Sequence, residues 1–204
     1  MEYFICGCIG YGLGCLNPAY FISKWKHKDI RNTGTGNLGT TNTFINFGKG
    51  WGCLVLLFDM MKAFLSVKLC SWLFPELMLA GVVSGCLAVI GHIFPFYTGF
   101  HGGKGIASFA GFVLSVDVLL FLALLAIGCI VAVLINYGCG ISFAASVLFP
   151  FIYSYKLQSV AAFIILSVCS AVIIYKHIDN VRKIKAGEEM PIHQFLRNYV
   201  LRRG

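Results

Sequence analysis

Charged residues are scarce in this chain of 204 residues: they make up 12% of it, and only eight are acidic. Hydrophobic residues account for 58%, and the mean hydropathy is +0.82. The apolar residues fall in runs of about 15 to 25, the length that crosses a bilayer. The composition therefore excludes an ordinary soluble domain and predicts an all-α integral membrane protein.

Several functional signatures are also missing. The nine cysteines form no CxxC pair and no Cys/His spacing suited to zinc, so we expect no metal, no disulfide framework and no cofactor. No cleavage site follows the first apolar run, which continues past Pro18 into a basic loop. No repeat or low-complexity tract separates parts of the chain, so we expect one membrane domain over residues 1–204.

Membrane spans are predicted from six apolar stretches, at residues 3–25, 51–74, 77–97, 106–137, 141–155 and 160–175. The fourth is too long for one span, since as a helix it would measure roughly 48 Å against a hydrocarbon core of about 30 Å. We expect it to break near Asp117. The prediction is therefore seven transmembrane helices.

The basic residues predict the orientation. All sixteen Lys and Arg residues except Lys62, Lys68 and Lys156 fall in residues 24–49, at Lys104, or in residues 176–203. With seven spans these three regions share one side, which is the cytoplasm by the positive-inside tendency. The N-terminus would lie outside and the C-terminus inside. The net charge of +8 follows from this bias, so we expect membrane lipids or anionic substrates as partners and no nucleic acid.

The first polar segment is DIRNTGTGNLGTTNT, residues 29–43. Its Gly34, Gly36 and Gly39 match the dinucleotide fingerprint, but that motif requires a preceding buried strand, and here the segment lies between two membrane spans. A flexible cytoplasmic loop is one interpretation. The alternative is a site for phosphate and polyol oxygens, because the segment places hydroxyl and amide groups beside Arg31.

The second polar segment is HGGKG, residues 101–105. It is not a Walker A loop, because Thr98 stands where the first glycine is required and Gly105 replaces the Ser or Thr that would hold magnesium. A span end with a snorkelling lysine is the plain interpretation. The alternative is a phosphate cradle, in which the loop exposes backbone N–H groups and Lys104 supplies a charge.

The third polar segment, residues 176–189, follows the last span and is either a basic topology anchor or part of a site. His177 and Asn180 are three apart, so they share a face if the helix continues. Inside the second span, Asp59 and Lys62 have the same spacing, and we expect an ion pair that positions this helix.

Taken in order, these segments closely resemble the motifs of the PlsY family, the bacterial acyl-phosphate:glycerol-3-phosphate acyltransferases. The first motif is matched at Asp29, Ile30, Arg31, Gly34, Gly36, Asn37, Gly39, Thr41 and Asn42, with Thr35 in place of a serine. The second is matched at His92, Phe94, Pro95, Gly102, Gly103, Lys104 and Gly105, and the third at His177, Asn180, Gly187 and Glu189.

The resemblance implies transfer of an acyl chain from acyl phosphate to the 1-hydroxyl of glycerol 3-phosphate, which forms lysophosphatidic acid and phosphate in phospholipid biosynthesis. It implies a bacterial inner membrane enzyme with its active site facing the cytoplasm. The catalytic residues would be His177, Asn180 and Lys104. The substrate-binding residues would be Arg31, Gly34, Thr35, Gly36, Asn37, Thr41, Asn42, His101, Gly102, Gly103, Gly105 and Ser142.

The chain also departs from the family pattern. Ile45 stands where the family carries an arginine, His101 replaces a lysine, and Asn136 replaces a second arginine. A charge-assisted hydrogen bond is worth about 1.5 to 3 kcal/mol, so the missing arginine could weaken anion binding about ten- to a hundredfold. Two alternatives therefore stay open: an acyl-phosphate-dependent enzyme with another acceptor, and a non-catalytic lipid-phosphate binding protein or a transporter. The oligomeric state is also open.

Overall fold

The computed structural model describes residues 1–200, and those residues form helices, turns and loops without a strand. Arg202 and Arg203 of the predicted basic tail lie outside the described residues. The chain divides into two compact units, the first covering Met1–Asp117 and the second beginning at Val118. The expectation of one domain stays a prediction.

The first unit contains six α-helices and two short 3-10 turns. The helices are α1 Glu2–Cys15, α2 Pro18–Trp25, α3 Thr40–Phe47, α4 Lys49–Leu73, α5 Ala80–Ile93 and α6 Ile106–Val116, and the turns are Ile30–Asn32 and Phe96–Thr98. The second unit contains four further helices before a short π-helical turn at Leu196–Val200. These are α7 Val118–Ile135, α8 Cys139–Leu157, α9 Val160–Ala186 and α10 Ile192–Phe195.

The predicted break in the fourth apolar stretch is confirmed. Asp117 is extended, with φ −160° and ψ 113°, and separates α6 from α7. In the described part of the chain five helical segments are long and apolar enough to cross a membrane: Glu2–Trp25, Ala80–Thr98, Val118–Ile135, Cys139–Leu157 and Val160–Ala186.

The other two predicted spans correspond to α4 and α6. Helix α4 has 25 residues but carries Asp59, Lys62 and Lys68, whereas α6 has only 11 residues and is about 16 Å long, well short of the hydrocarbon core. The protein is thus an all-helical membrane protein with five segments of clear spanning length among residues 1–200.

Small residues let the helices of the first unit approach closely. A Cβ added at Gly10 would overlap the carbonyl of Ser84, and one at Gly14 would overlap that of Ala88, so α1 and α5 pack backbone against backbone. The expectation that glycines within the spans serve close packing is confirmed for these positions. This contact brings the C-terminal ends of α1 and α5 together beside the loops that follow.

The polar asparagine between α1 and α2 fixes where the second helix begins. Asn17 is fully buried, and its Oδ1 accepts a hydrogen bond from the N–H of Tyr20 at 3.0 Å while Pro18 occupies the first helical position.

In the second unit, α9 runs to Ala186 and ends at Gly187, whose φ of +73° suits glycine. Helix α9 therefore carries His177 and Asn180 on one continuous helix, as the sequence predicted.

Candidate functional site

Asn42 organises the first polar segment from its centre. Its side chain is 1% exposed; Oδ1 accepts from the N–H of Thr35 at 2.8 Å, and Nδ2 donates to the carbonyls of Ile30 at 2.6 Å and Asn37 at 2.9 Å. Gly34, at φ +61°, lies so close that an added Cβ would overlap Asn42 Oδ1. The segment is thus a folded turn around one buried amide, and the flexible-loop interpretation does not hold for it.

Asn46 is a second amide in this cluster that the sequence interpretation missed. Its Nδ2 donates to Asn42 Oδ1 at 3.0 Å, and its Oδ1 accepts from the Thr33 hydroxyl at 2.8 Å. The signal that could have identified it is the spacing of two asparagines four apart on a helix, which places them on one face. Thr41 remains exposed at the start of the same helix, α3.

Arg31 is already paired within its own segment. Its Nε lies 2.9 Å and 3.0 Å from the two Asp29 oxygens, and Nη2 lies 2.6 Å from Oδ2, with both side chains 40% exposed. The guanidinium lowers the pKa of the Asp29 carboxyl by hydrogen bonding, and the carboxylate raises the pKa of Arg31 in turn. An anion that binds Arg31 must therefore compete with Asp29.

The second polar segment, residues 101–105, is a glycine loop that packs against the C-terminal end of α5. The N–H of Gly102 donates to the carbonyl of Ile93 at 3.0 Å, and that of Gly103 donates to the carbonyl of His92 at 3.2 Å. The expectation that this loop offers its N–H groups to an anion is therefore wrong for these two glycines. Their lack of a side chain serves packing instead, since a Cβ at Gly103 would overlap the His92 ring.

The end of the loop starts α6. Gly105 has φ +91° and precedes the first turn of this helix, whose N–H groups have no partners within the helix itself. Lys104 is half-buried beside it, and His101 is exposed, with its Nδ1 donating to the carbonyl of Gly99 at 2.6 Å. An anion at this loop would meet the Lys104 ammonium and the first turn of α6.

The first and second polar segments meet in the structure. The N–H of Leu38 donates to the carbonyl of Gly102 at 3.4 Å, and the Leu38 carbonyl accepts from Asn17 Nδ2 at 3.0 Å. Gly39 lies next to Gly103, with 3.9 Å between an added Cβ at Gly39 and the Gly103 Cα. The first unit therefore contains one polar region, which combines the hydroxyls and amides of the first polar segment with the glycine loop.

A buried charged cluster lies behind the glycine loop. Lys62 Nζ is 2.8 Å from Asp59 Oδ1, so the ion pair expected from their spacing is confirmed. The same ammonium is 2.7 Å from the Leu16 carbonyl and 3.0 Å from His92 Nδ1. All three side chains of this cluster, Asp59, Lys62 and His92, are at most 4% exposed.

In the second unit, His177 is buried on α9 with a defined tautomer. Its Nδ1 lies 2.8 Å from the carbonyl of Ile173, one turn earlier, and its ring contacts Phe143 edge-on at 6.1 Å between centroids. A carbonyl oxygen only accepts, so Nδ1 carries the proton. Nε2 of the neutral ring is consequently an acceptor.

Asn180 shares the inward face of α9 with His177, as the sequence predicted. Its Nδ2 donates to Glu189 Oε1 at 2.6 Å, across the turn that Gly187 makes possible. Ser142 is 3% exposed on α8. These residues belong to the second unit, whereas the glycine loop belongs to the first.

The fold and the joined polar segments define a helical membrane protein that gathers hydroxyl, amide and lysine side chains beside its helix ends. The chain belongs to the glycerol-3-phosphate acyltransferase family, whose sequence model matches residues 4–187. It is thus an enzyme of the acyltransferase class, and the resemblance to the PlsY family is confirmed.

Individual relatives agree with this assignment. The glycerol-3-phosphate acyltransferase of Thermoanaerobacter pseudethanolicus is 35% identical over 187 residues, which cover 91% of this chain and 93% of the relative. That of Streptococcus thermophilus is 36% identical over 193 residues, which cover 89% of each chain.

Two crystal structures of PlsY (YgiH), an integral membrane glycerol 3-phosphate acyltransferase, resemble this fold. The glycerol 3-phosphate form has a TM-score of 0.84 and 29% identity, and the alignment covers 94% of this chain and 96% of that one. The lysophosphatidic acid form has a TM-score of 0.82 and 28% identity, with 97% and 100% covered.

Proposed function

We propose that this chain transfers an acyl chain from acyl phosphate to the 1-hydroxyl of glycerol 3-phosphate. The hydroxyl oxygen attacks the acyl carbon and forms the ester bond of lysophosphatidic acid. The bond from the acyl carbon to the phosphate oxygen breaks, and inorganic phosphate leaves with the electron pair. Since acyl phosphate is already activated, positioning and stabilisation of negative charge supply most of the catalysis.

The proposal gives Lys104 the role of holding a phosphate group. Lys104 directly precedes Gly105 and the first turn of α6, where the helix dipole favours an anion. Substrate oxygens are bound by the residues of the two joined segments and by one serine of α8. These are Arg31, Gly34, Thr35, Gly36, Asn37, Thr41, His101, Gly105 and Ser142, whereas Asn42, Gly102 and Gly103 shape the two segments, because their N–H groups already donate within the protein.

We assign the proton of the attacking hydroxyl to His177. Nδ1 donates to the Ile173 carbonyl, so Nε2 is the acceptor in the neutral ring, as a general base requires. Asn180, held by Glu189, orients the hydroxyl in this proposal.

The observation that carries the proposal is the hydrogen bond from Leu38 to Gly102, which joins the first polar segment, rich in hydroxyls and amides, to the glycine loop. The test is phosphate release from acyl phosphate by the purified, detergent-solubilised protein, with and without glycerol 3-phosphate. Release should depend on glycerol 3-phosphate and disappear in Lys104→Ala. Release that is the same with and without the acceptor, or that survives in Lys104→Ala, contradicts the assignment.

A second acceptor is favoured by one observation. Ile45 replaces the arginine of the family pattern, and the nearby Arg31 is already bidentate with Asp29. A less charged hydroxyl compound could therefore replace glycerol 3-phosphate. Release that is absent with glycerol 3-phosphate and present with glycerol or another polyol would support this alternative.

We further propose that the chain is a single domain of the inner membrane of a bacterium, with membrane lipids as its neighbours. Seven crossings place the N-terminus outside and the C-terminus, with the polar segments, in the cytoplasm. The distribution of Lys and Arg supports this orientation. Cysteine labelling with a membrane-impermeant reagent tests it: a cysteine placed at Lys185 should react only after the cells are opened.

A further inference from the structure

Lys62 uses all three of its N–H groups inside the first unit. Its acceptors are the Leu16 carbonyl at 2.7 Å, Asp59 Oδ1 at 2.8 Å and His92 Nδ1 at 3.0 Å. An ammonium has three donors and no acceptor, so the group it meets at His92 must offer a lone pair. His92 Nδ1 is therefore the unprotonated nitrogen.

This contact determines which nitrogen of the His92 imidazole carries the proton. Asp59 Oδ1 is also 3.2 Å from His92 Nδ1, but a carboxylate oxygen only accepts, so with Nδ1 unprotonated these two atoms do not bond each other and both accept from Lys62. In the neutral ring the proton is then on Nε2, the tautomer opposite to that of His177. Nε2 lies on the side of the ring that faces Gly103, where an added Cβ would overlap it.

His92 contacts the glycine loop in two ways. Its carbonyl accepts the N–H of Gly103, and its ring packs against the same glycine. We propose that His92 is the positioning residue of the glycine loop, and that Lys62 and Asp59 act through it by holding its ring in one orientation and one tautomer. The cluster thereby places Lys104 for its substrate without touching the substrate.

A role in stability alone does not account for this cluster. Among the described residues Asp59 Oδ2 has no hydrogen-bond partner, although that oxygen is buried. A buried ion pair with an unsatisfied oxygen is a poor stabiliser compared with apolar residues of similar volume. Ionisable residues inside a membrane protein are by default associated with function.

The direct test is NMR of detergent-solubilised protein with isotope-labelled histidines, with the His92 signal identified by its loss in His92→Asn. The expected spectrum shows a neutral ring with the proton on Nε2. In Lys62→Met the donor to Nδ1 is gone, and the ring should change tautomer or become charged beside Asp59. A wild-type ring protonated on Nδ1, or a ring unchanged in Lys62→Met, overturns the proposal.

The second test measures kinetics and rests on the proposed function. Lys62→Met should raise KM for acyl phosphate about tenfold and change kcat less, because a displaced loop weakens substrate placement. Lys62→Arg, which keeps a charged donor, should recover most of the loss. If Lys62→Met does not assemble, His92→Asn replaces it, since this change keeps an amide near Lys62 but removes the ring from Gly103. An assembled variant with wild-type KM contradicts the proposal.

Ser66→Ala is the matched control. Ser66 lies one turn from Lys62 on α4, and its hydroxyl is 2.8 Å from that of Ser84 on α5, so the change breaks a buried contact between the same two helices. It should lower the melting temperature without altering the His92 tautomer or KM. A Ser66→Ala variant that shifts both would show that general loosening of the helix pair, not the cluster, is responsible. If the wild-type protein releases no phosphate with any acceptor, the proposed function fails while the NMR result still decides this inference.

Discussion

The two buried histidines of this protein are held in different ways. His177 donates from Nδ1 to the carbonyl of Ile173, four residues earlier in its own helix, whereas His92 receives a hydrogen bond at Nδ1 from Lys62, 30 residues away on another helix. The first tautomer follows from helix geometry alone. The second exists only because α4 and α5 pack together with a lysine between them.

The ring of His92 is easier to disturb than the ring of His177. His177 keeps its orientation as long as α9 is helical, so mutations there should affect chemistry directly. His92 depends on Asp59 and Lys62, so mutations in α4 should reach the glycine loop without changing any residue in it.

The largest effect is expected at His177. In His177→Ala the helix remains and the proton acceptor is lost, so the rate of phosphate release should fall about a hundredfold to ten thousandfold. His193→Ala is the control, since His193 is exposed and bonds Asn136. Assembled His177→Ala protein within threefold of the wild-type rate would remove His177 from the mechanism.

A somewhat smaller loss is expected when the loop is pushed off His92. In Gly103→Ala the new Cβ overlaps the His92 ring, and the displaced loop should lower kcat/KM about a hundredfold. Gly138→Ala is the matched control, because no heavy atom lies within 4 Å of a Cβ there and its φ is −62°. Equal losses in both variants would mean that the contact with His92 is irrelevant.

Ile45→Arg should strengthen the first polar segment. Ile45 Cγ2 is 3.3 Å from the Cβ position at Gly34, so a side chain at this place is directed at the turn around Asn42. A new charge-assisted hydrogen bond should lower KM for glycerol 3-phosphate about tenfold. Ile45→Met, which adds length without charge, should leave KM as it is. No change in Ile45→Arg would favour the alternative acceptor.

The smallest effect is expected at the exposed pair of Asp29 and Arg31. The pKa of Asp29 is below its ordinary value of 3.8, so the pair contributes stability above that pH and loses it as the pH falls through the lowered pKa. Because both side chains are 40% exposed, Asp29→Asn should cost only about 0.2 to 1 kcal/mol at neutral pH. Thermal melting at neutral and strongly acidic pH should show the difference between variant and wild type only at neutral pH.

Much of the local structure could be predicted from the sequence. The break at Asp117, the ion pair of Asp59 and Lys62, and the common face of His177 and Asn180 all follow from helix length or from spacings of three residues. The polar segments could also be located, because residues that are unfavourable in the hydrocarbon core interrupt the apolar runs.

The partners of those segments could not be predicted in this way. Nothing in the spacing indicates that Leu38 donates to Gly102, or that the N–H groups of Gly102 and Gly103 are used by the end of α5. These contacts depend on how closely α1 and α5 pack, which the sequence indicates only as a tendency of small residues to lie at interfaces.

Hydropathy and helical periodicity are local properties of the chain. The class of protein, the helical character of its segments and the residue types available for phosphate chemistry could therefore be predicted from the sequence. The contacts of Lys62 with Leu16 and His92, in addition to Asp59, are seen only once the helices are packed together. The reason is physical: an ammonium buried between helices must satisfy three donors at once, and which acceptors it meets is decided by the packing of several helices together.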